Sequence, residues 1–436
     1  MPRKQEWVQT KLGSVATFTN GGAWNASEYV DSGIPVVRVT DCQNGTVDVS
    51  ACKYLSEAAY AKYRKHVITE GDLIVATVGS HPTQPGSVVG RPVVVPREAG
   101  GALLNQNAVC IRPLENSMLD KHFLSNFAKS PSFGKYIIAC ARGSANQVRM
   151  SIGLLRDMPI ELPPFSTQRK IAAILSAYDY LIENNLRRIK ILEEMAQNIY
   201  REWFVKFRFP GHQQTRFVDS PLGMIPEGWE VVSLENVCSR ITDGSHYSPK
   251  TTDFGYPMAS VKDMHDWGIN IDTCRTISEE EFQNLVRNDC KMCKDDVLIA
   301  KDGSYLKHCF VVEKDFDVAL LSSIAILRPN KQINPHVLAM TLREPNMKTR
   351  MTGFVSGAAL PRIILQAFRQ FQIVLPHIAL QERWAASAEP GIQLCWRLLS
   401  ANANLRRTRD LLLPRLISGQ VDVSELDIAV PEEGAC

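Results

Sequence analysis

No apolar run in this 436-residue chain is long enough to cross a bilayer, which excludes a helical membrane protein. The opening MPRKQEWVQTKLG has no apolar core of the kind a secretory signal needs. A paired cysteine framework is missing too. The 11 cysteines are odd in number and scattered, which favours a reducing cytoplasm. Cys290 and Cys293 have CxxC spacing, but no second CxxC or HxxxH supplies the other two ligands of a zinc site. A GxxxxGK[ST] loop is absent, and no GxGxxG follows a strand, so neither common phosphate cradle is present. A strong excess of positive charge is also lacking. The net charge is +3, so any role in binding nucleic acid must rest on local patches or on partners. With 45% hydrophobic and 22% charged residues, the composition fits a globular chain of two or three domains.

The most ordered pattern is itself marked by an absence, since Phe165 to Phe207 contains neither Pro nor Gly. Apolar residues recur in steps of four and three at Ile171, Leu175, Tyr178 and Ile182, and again at Ile189, Leu192, Ala196, Ile199 and Trp203. This heptad seam predicts one long amphipathic helix lying against another helix. Roughly 40 residues at 1.5 Å each make a rod of about 60 Å. Asn185 is a polar position on the seam, suited to fixing register against a polar partner. A second helix is expected from about Ile378 to Leu416, with a seam at Leu398, Asn402, Leu405, Arg409, Leu412 and Leu416. Pro390-Gly391 should kink or break it.

The chain repeats itself. Trp7 answers Trp229, and Pro35, Val39 and Asp41 answer Pro257, Val261 and Asp263, all at a shift of 222. GDLIVATVGS answers DDVLIAKDGS at 224. Arg112-Pro113 answers Arg328-Pro329, His122 answers His336, Leu162-Pro163 answers Leu375-Pro376, Gln168 answers Gln381, and Asn185-Leu-Arg-Arg answers Asn404-Leu-Arg-Arg. The order never changes, which marks a tandem duplication. Each repeat is a globular part followed by a helix. In the first, IPVVRVTD, GDLIVATVG, SVVGRPVVV and ALLNQNAVCIRP read as short strands, SMLDKHFLSNFAKS as a helix, ACARGSANQVRMS as a loop and DMPIELPP as a strand. The expected parts are 1–162 and 229–375 as globular domains, 163–208 and 376–418 as helical spacers, 209–228 as an extended linker and 419–436 as a tail. The fold class is α+β: two mixed α/β domains and two long helices paired antiparallel as a coiled coil, with a pseudo-two-fold internal repeat.

No catalytic set emerges from the spacing. Leu162-Pro163-Pro164-Phe165 resembles the tetrapeptide of amino-group DNA methyltransferases, but Leu162 stands where that motif needs Asn or Asp. It is read as a strand terminator. Asp295-Asp296 and Glu193-Glu194 are read as turn and solvated helix residues. Asp41 and Asp263, at strand ends, suit Asx turns or base readout equally. His122 and His336 are read as structural. What loops do offer is polar and cationic side chains: Ser80, His81, Arg142, Ser144, Asn146, Gln147 and Arg149 in the first repeat, and Lys301, Ser304, Lys307, His308, Ser356 and Arg362 in the second. Arg suits guanine edges, Asn and Gln suit adenine, and Ser or Lys suits phosphate.

Nearly the whole chain resembles the specificity subunit of type I restriction–modification systems. The resemblance is carried by LPPFSTQRKIA and its repeat LPHIALQERWA, by IYREWFVKFRFPG, by the junction SPLGMIPEGWE and by the closing LLLPRLISGQVDV. It implies a non-catalytic DNA reader. Each globular domain would read one half of a bipartite, asymmetric double-stranded DNA site, and these loop residues would contact the DNA. The helices would set the gap and bind two methyltransferase (modification) subunits, with two restriction/translocase subunits joining the complex. S-adenosylmethionine, ATP and Mg would sit on those partners, with no cofactor or metal on this chain. Two rival readings are a coiled-coil scaffold with protein-binding ends, which would show no sequence-selective DNA retention, and an enzyme with an unrecognised site.

Overall fold

The computed structural model describes residues 7–43, 45–84, 87–144, 147–303, 306–356 and 362–430. Two long helices are present, α1 (Phe165–Tyr200) and α2 (Ile378–Ile417). The double proline Pro163-Pro164 ends the preceding strand and the helix follows at once. In α1 the seam residues Ile171, Leu175, Ile182, Ile189 and Ala196 are buried. In α2 Leu398, Asn402 and Leu416 are buried. Pro390-Gly391 does not break α2, contrary to expectation. The proline forfeits one N–H, but its flanks Ala388 and Ile392 are buried in an aromatic core, and that packing outweighs local propensity. No helix among the described residues is long and apolar enough to cross a membrane.

The chain divides into two compact units, Met1–Asn184 with Asn402–Cys436, and Asn185–Ala401. Each unit therefore takes one globular head plus a portion of both long helices. In the first unit, a four-stranded antiparallel sheet runs in the order β1 (Ala16–Asn20), β5 (Ala108–Pro113), β2 (Leu73–Ala76), β4 (Pro92–Val94). The inner strand β2, Leu-Ile-Val-Ala, is buried on every residue, as a strand covered on both faces must be. A second sheet joins Leu103–Leu104, Ile34–Val37, Lys53–Leu55 and Tyr29–Val30, its first pair parallel. The segment expected to be a loop, ACARGSANQVRMS, is instead the end of a helix (Pro131–Cys140) and a hairpin, β6 (Arg142–Ser144) with β7 (Gln147–Arg149). β7 pairs in turn with the two-residue strand β3 (Val78–Gly79). Alternation is too short in these strands for period-2 reading, and long-range pairing decides them.

The first unit's helical portion is antiparallel. Lys170 Nζ donates to the Ser424 carbonyl (2.6 Å), Asp179 pairs with Arg409 (2.5 Å), and Asn402 Nδ2 donates to the Ile182 carbonyl (3.3 Å). One partner number rises as the other falls. The fully buried polar seam residue is thus Asn402, while Asn185 is half-buried. The core of this head includes Ile171 and Leu175 from α1 and Leu413, Leu416, Ile417 and Val423 from the chain's end.

The second unit repeats the plan. Its main sheet runs β8 (Cys238–Asp243), β11 (Ile324–Pro329), β9 (Val297–Ala300), β10 (Cys309–Val311), all antiparallel. Its second sheet joins Arg275–Ile277, Tyr256–Ala259 and Ala319–Leu320, with Met258-Ala259 parallel to Ala319-Leu320 as Val36-Val37 is to Leu103-Leu104. A short hairpin joins β12 (Val355–Ser356) to β13 (Arg362–Ile363). α1 is tied to this head by Tyr200 Oη and Thr341 Oγ1 (2.8 Å), by Arg201 with Glu344 (3.0 Å) and by Glu193 with Arg343. It runs antiparallel to α2 here as well: the Ile189 carbonyl faces Cys395, and the Tyr200 ring meets Trp384 at 5.8 Å. The 209–228 segment is not an extended linker. It folds back as a hairpin of Phe217–Val218 with Ile225–Pro226, and Phe209, Ile225 and Trp229 bury in the aromatic cluster around Trp384.

Equivalent residues perform equivalent tasks in the two heads. Asp72 pairs with Arg112, and Asp296 with Arg328 (2.8 Å). Burial alone would push the Asp72 carboxyl up, but Arg112, the Thr69 amide and Lys121 together hold it below its ordinary value. Asp295-Asp296 is thus only half a turn pair. Asp295 takes a left-handed backbone (φ 68°), while Asp296 is fully buried and ion-paired. Glu193 is likewise engaged by Arg343 rather than simply solvated. Asp41 and Asp263 are turn residues, each accepting from the N–H three residues before it, Arg38 (2.9 Å) and Ser260 (2.8 Å). His336 packs on Trp396 at 5.7 Å, whereas His122 is exposed. The ten cysteines of the described residues are free thiols, and burial pushes Cys309 and Cys238 up to about 12.

Candidate functional site

In each head one place gathers four segments that lie far apart in the chain. In the first unit these are the end of β1, the end of β2, the turn before β5, and β7. Three backbone bonds fix them. Gly21 N–H donates to the Ala108 carbonyl (2.9 Å), Thr77 N–H to Asn107 (2.8 Å), and Met150 N–H to Thr77 (2.8 Å). A cleft of about 430 Å³ opens there, lined by Asn20, Thr77, Gln106, Asn107, Arg149 and Ser151 among others. In the second unit the same bonds recur: Gly244 N–H to Ile324 (3.2 Å), Lys301 N–H to Ser323 (3.0 Å) and Ile363 N–H to Lys301 (3.0 Å). Both turns need glycine. A Cβ on Gly21 would lie 1.9 Å from the Asn105 carbonyl oxygen, and one on Gly244 would lie 2.2 Å from that of Leu320.

Of the loop residues singled out from the sequence, Arg149 lines the first cleft, and Lys301 and Arg362 stand at the second junction. Ser80 and His81 follow β3, and β3 is held against β7 by Val148 opposite Gly79 and Arg149 opposite Val78. His81 Nδ1 lies 2.8 Å from Thr83 Oγ1, and the Ser80 carbonyl accepts from Ser87 Oγ (2.7 Å). Arg149 is exposed and lines the cleft. Arg142, Ser144 and Gln147 lie in the hairpin by their backbones, their side chains outside the described set, as is the whole of Asn146. In the second unit Arg362 is exposed on β13, opposite Ser356, and its backbone pairs antiparallel with that of Asp302. The Ser356 side chain and Ser304 fall outside the described residues. Lys307 is exposed, and His308 Nδ1 lies 2.9 Å from Asp266 Oδ1. Lys301 is not a free loop cation. It is buried, with Nζ 3.2 Å from Asp243 and 3.4 Å from Asp302. Asp243 also lies 3.3 Å from the exposed His246.

Asn20, Thr77, Asn107, Asp243 and Ser323 were not singled out by reading the chain, because each ends or directly precedes a strand. The repeat held the available signal. Matching GDLIVATVGS to DDVLIAKDGS sets Thr77 against Lys301. Chemically, the arrangement is two similar backbone frames with hydrogen-bonding side chains of different kinds. Among the described residues no group of three or more His, Cys, Asp or Glu gathers as a metal site.

Comparison with known proteins agrees with the duplicated plan. The family model described as the type I restriction modification DNA specificity domain matches twice, over residues 4–194 and 226–387. The chain is 24% identical over 310 residues to the type I restriction enzyme MjaIX specificity subunit of Methanocaldococcus jannaschii, covering 70% of this chain and 70% of that protein. It is 23% identical over 392 residues to the EcoBI specificity subunit of Escherichia coli, covering 86% and 77%. A crystal structure of a type I restriction–modification S subunit from M. genitalium has the same fold at a TM-score of 0.56 and 15% identity, covering 95% of this chain and 97% of that one. The chain belongs to the type I restriction modification DNA specificity family, with its defining domain present twice.

Proposed function

We propose that this chain is the DNA-reading subunit of a type I restriction–modification complex. Each unit reads one half of a bipartite, asymmetric site, and α1 and α2 set the gap between the halves. The observation that carries this reading is the recurrence of one backbone frame in two heads with different side chains on it. Identical readers suit a palindrome, and unlike readers suit an asymmetric target. Two modest binding surfaces on one chain act at high effective concentration on half-sites at the matching distance.

The methyl-transfer and cleavage chemistry is assigned to partners: two methyltransferase subunits carrying S-adenosylmethionine, and two restriction/translocase subunits using ATP and Mg. Exposed apolar residues on α1 support a partner surface: Tyr180 and Leu181 in the first unit, and Leu186, Ile191 and Met195 in the second. The complex is placed in the cytoplasm, where its DNA is.

The test is to express the chain with its modification subunit in a host lacking other methylation and to map the modified bases. A bipartite, asymmetric motif is expected. Exchange of residues 1–160 for those of a relative should then change one half of it. A contiguous motif, or a change in both halves, would refute the two-reader assignment.

A further inference from the structure

The two junctions form an internal control, because the fold solves the same backbone problem twice with different side chains. β1 and β8 end on Asn20 and Asp243, and the glycine after each closes the same turn. Thr77 and Lys301 sit at the same step after β2 and β9, each donating to the turn before the next central strand and accepting from the residue after Arg149 or Arg362. Asn107 and Ser323 are the two turn acceptors. The arginine is kept in both units and is exposed in both.

The chemistry of the two frames differs sharply. The first cleft is uncharged apart from Arg149: Asn20 and Gln106 are exposed at its rim, with Thr77 and Asn107 below. The second frame holds Lys301 between Asp243 and Asp302, with His246 outside Asp243. Lys301 and Asp243 are each less than 10% exposed. Burying a charged pair is costly, and well-packed neutral residues often serve stability equally well. Thr77 and Asn20 show that this backbone needs no charge here. The shared backbone frame therefore does not by itself require the Asp243–Lys301 pair.

We propose that the junction is the base-reading site of each unit, and that Asn20, Thr77 and Asn107 in the first and Asp243, Lys301 and Ser323 in the second are its specificity-determining positions. Arg149 and Arg362 are the contacts common to both. This rests on the DNA-reading function proposed above. Amide side chains match the paired donor and acceptor of adenine, whereas a fixed lysine–carboxylate pair presents charge of the kind that discriminates the edges of a G·C pair. The first unit's half-site thus depends on its amides. The second depends on the charged floor, which also holds His246 in place.

The experiment gives the second unit the first unit's residues, Asp243→Asn with Lys301→Thr, a substitution neutral in net charge. The variant is expressed with its modification subunit and the methylated bases are mapped across a genome. One half of the motif should change or relax at one base pair or more, with discrimination falling roughly 5- to 150-fold at each affected base, and the other half should stay intact. An unchanged motif at undiminished methylation overturns the inference and leaves the two-reader function standing. Absence of any bipartite motif from the parent complex overturns the function itself. Should the variant lose its cooperative melting transition, Asn20→Ala with Thr77→Val decides, since it removes polar groups from an open cleft that holds no buried charge. An unchanged motif in that variant is equally fatal to the proposal.

Discussion

Replacing Gln168 by Ala should destabilise the first unit far more than the loss of one side chain in a helix's first turn suggests. Gln168 is fully buried. Its Oε1 accepts from the Asp120 N–H (2.9 Å), and its Nε2 donates to the carbonyls of Met118 (2.6 Å) and Pro163 (2.9 Å). Gln381 does the same in the second unit, with the Asn334 N–H (2.9 Å) and the carbonyls of Gln332 (3.1 Å) and Pro376 (2.8 Å). Each glutamine clamps the start of a long helix to the loop before a head helix. Truncation orphans three backbone groups at about 1–3 kcal/mol apiece, not fully additive, so about 4 kcal/mol is expected. For a domain of roughly 150–250 residues each kcal/mol is worth about 2–4 °C, giving a fall of about 8–16 °C. Gln168→Glu separates the polar clamp from mere packing. Its carboxylate can still accept from Asp120 but faces two carbonyl oxygens, so its folded pKa must rise above the unfolded value. The folded state then binds the extra proton first, and the variant regains stability as pH falls through that raised pKa. Thermal melting of the full chain at pH 7.5 and pH 5 reads both effects. A fall below about 2 °C for Gln168→Ala, or an equal deficit for Gln168→Glu at both pH values, would refute the clamp.

Three further outcomes are expected. Arg328→Met leaves the fully buried Asp296 carboxylate with the Cys293 N–H (2.9 Å) and should cost about 3–5 kcal/mol in denaturant unfolding, most of which Asp296→Leu in the same chain should restore. Burial lowers the His336 pKa, so below about 6.5 the unfolded chain takes up the proton more readily. The second unit should lose stability as pH falls from about 6.5 toward the lowered folded value, and His336→Gln should flatten that dependence in a pH series of melts. One heptad added to α1 within 171–199, with its equivalent in α2, adds about 10 Å of helix. The gap in the methylated motif should lengthen by roughly three base pairs at about 3.4 Å each, and unchanged spacing would show that the helices do not set it.

Much of the plan was legible in the residues themselves. Heptad spacing at Ile171, Leu175, Ile182 and Ile189 located α1 and its buried face, because a helix fixes its contacts at three and four residues' distance. The repeated order of Asp72 and Arg112 with Asp296 and Arg328, and of Gln168 with Gln381, marks the duplication in the sequence, and each pair makes equivalent bonds in the fold. Tertiary structure decided what propensity cannot. It carried α2 through Pro390-Gly391, folded 209–228 onto Trp384, and made ACARGSANQVRMS a hairpin that needs β3 as its third strand. It also packed Leu416, Ile417 and Val423 into the head built from the opening residues. Local patterns report a chain's preference over one or two turns. Each junction, one around Thr77 and one around Lys301, is made by four segments tens of residues apart, and only packing brings them together.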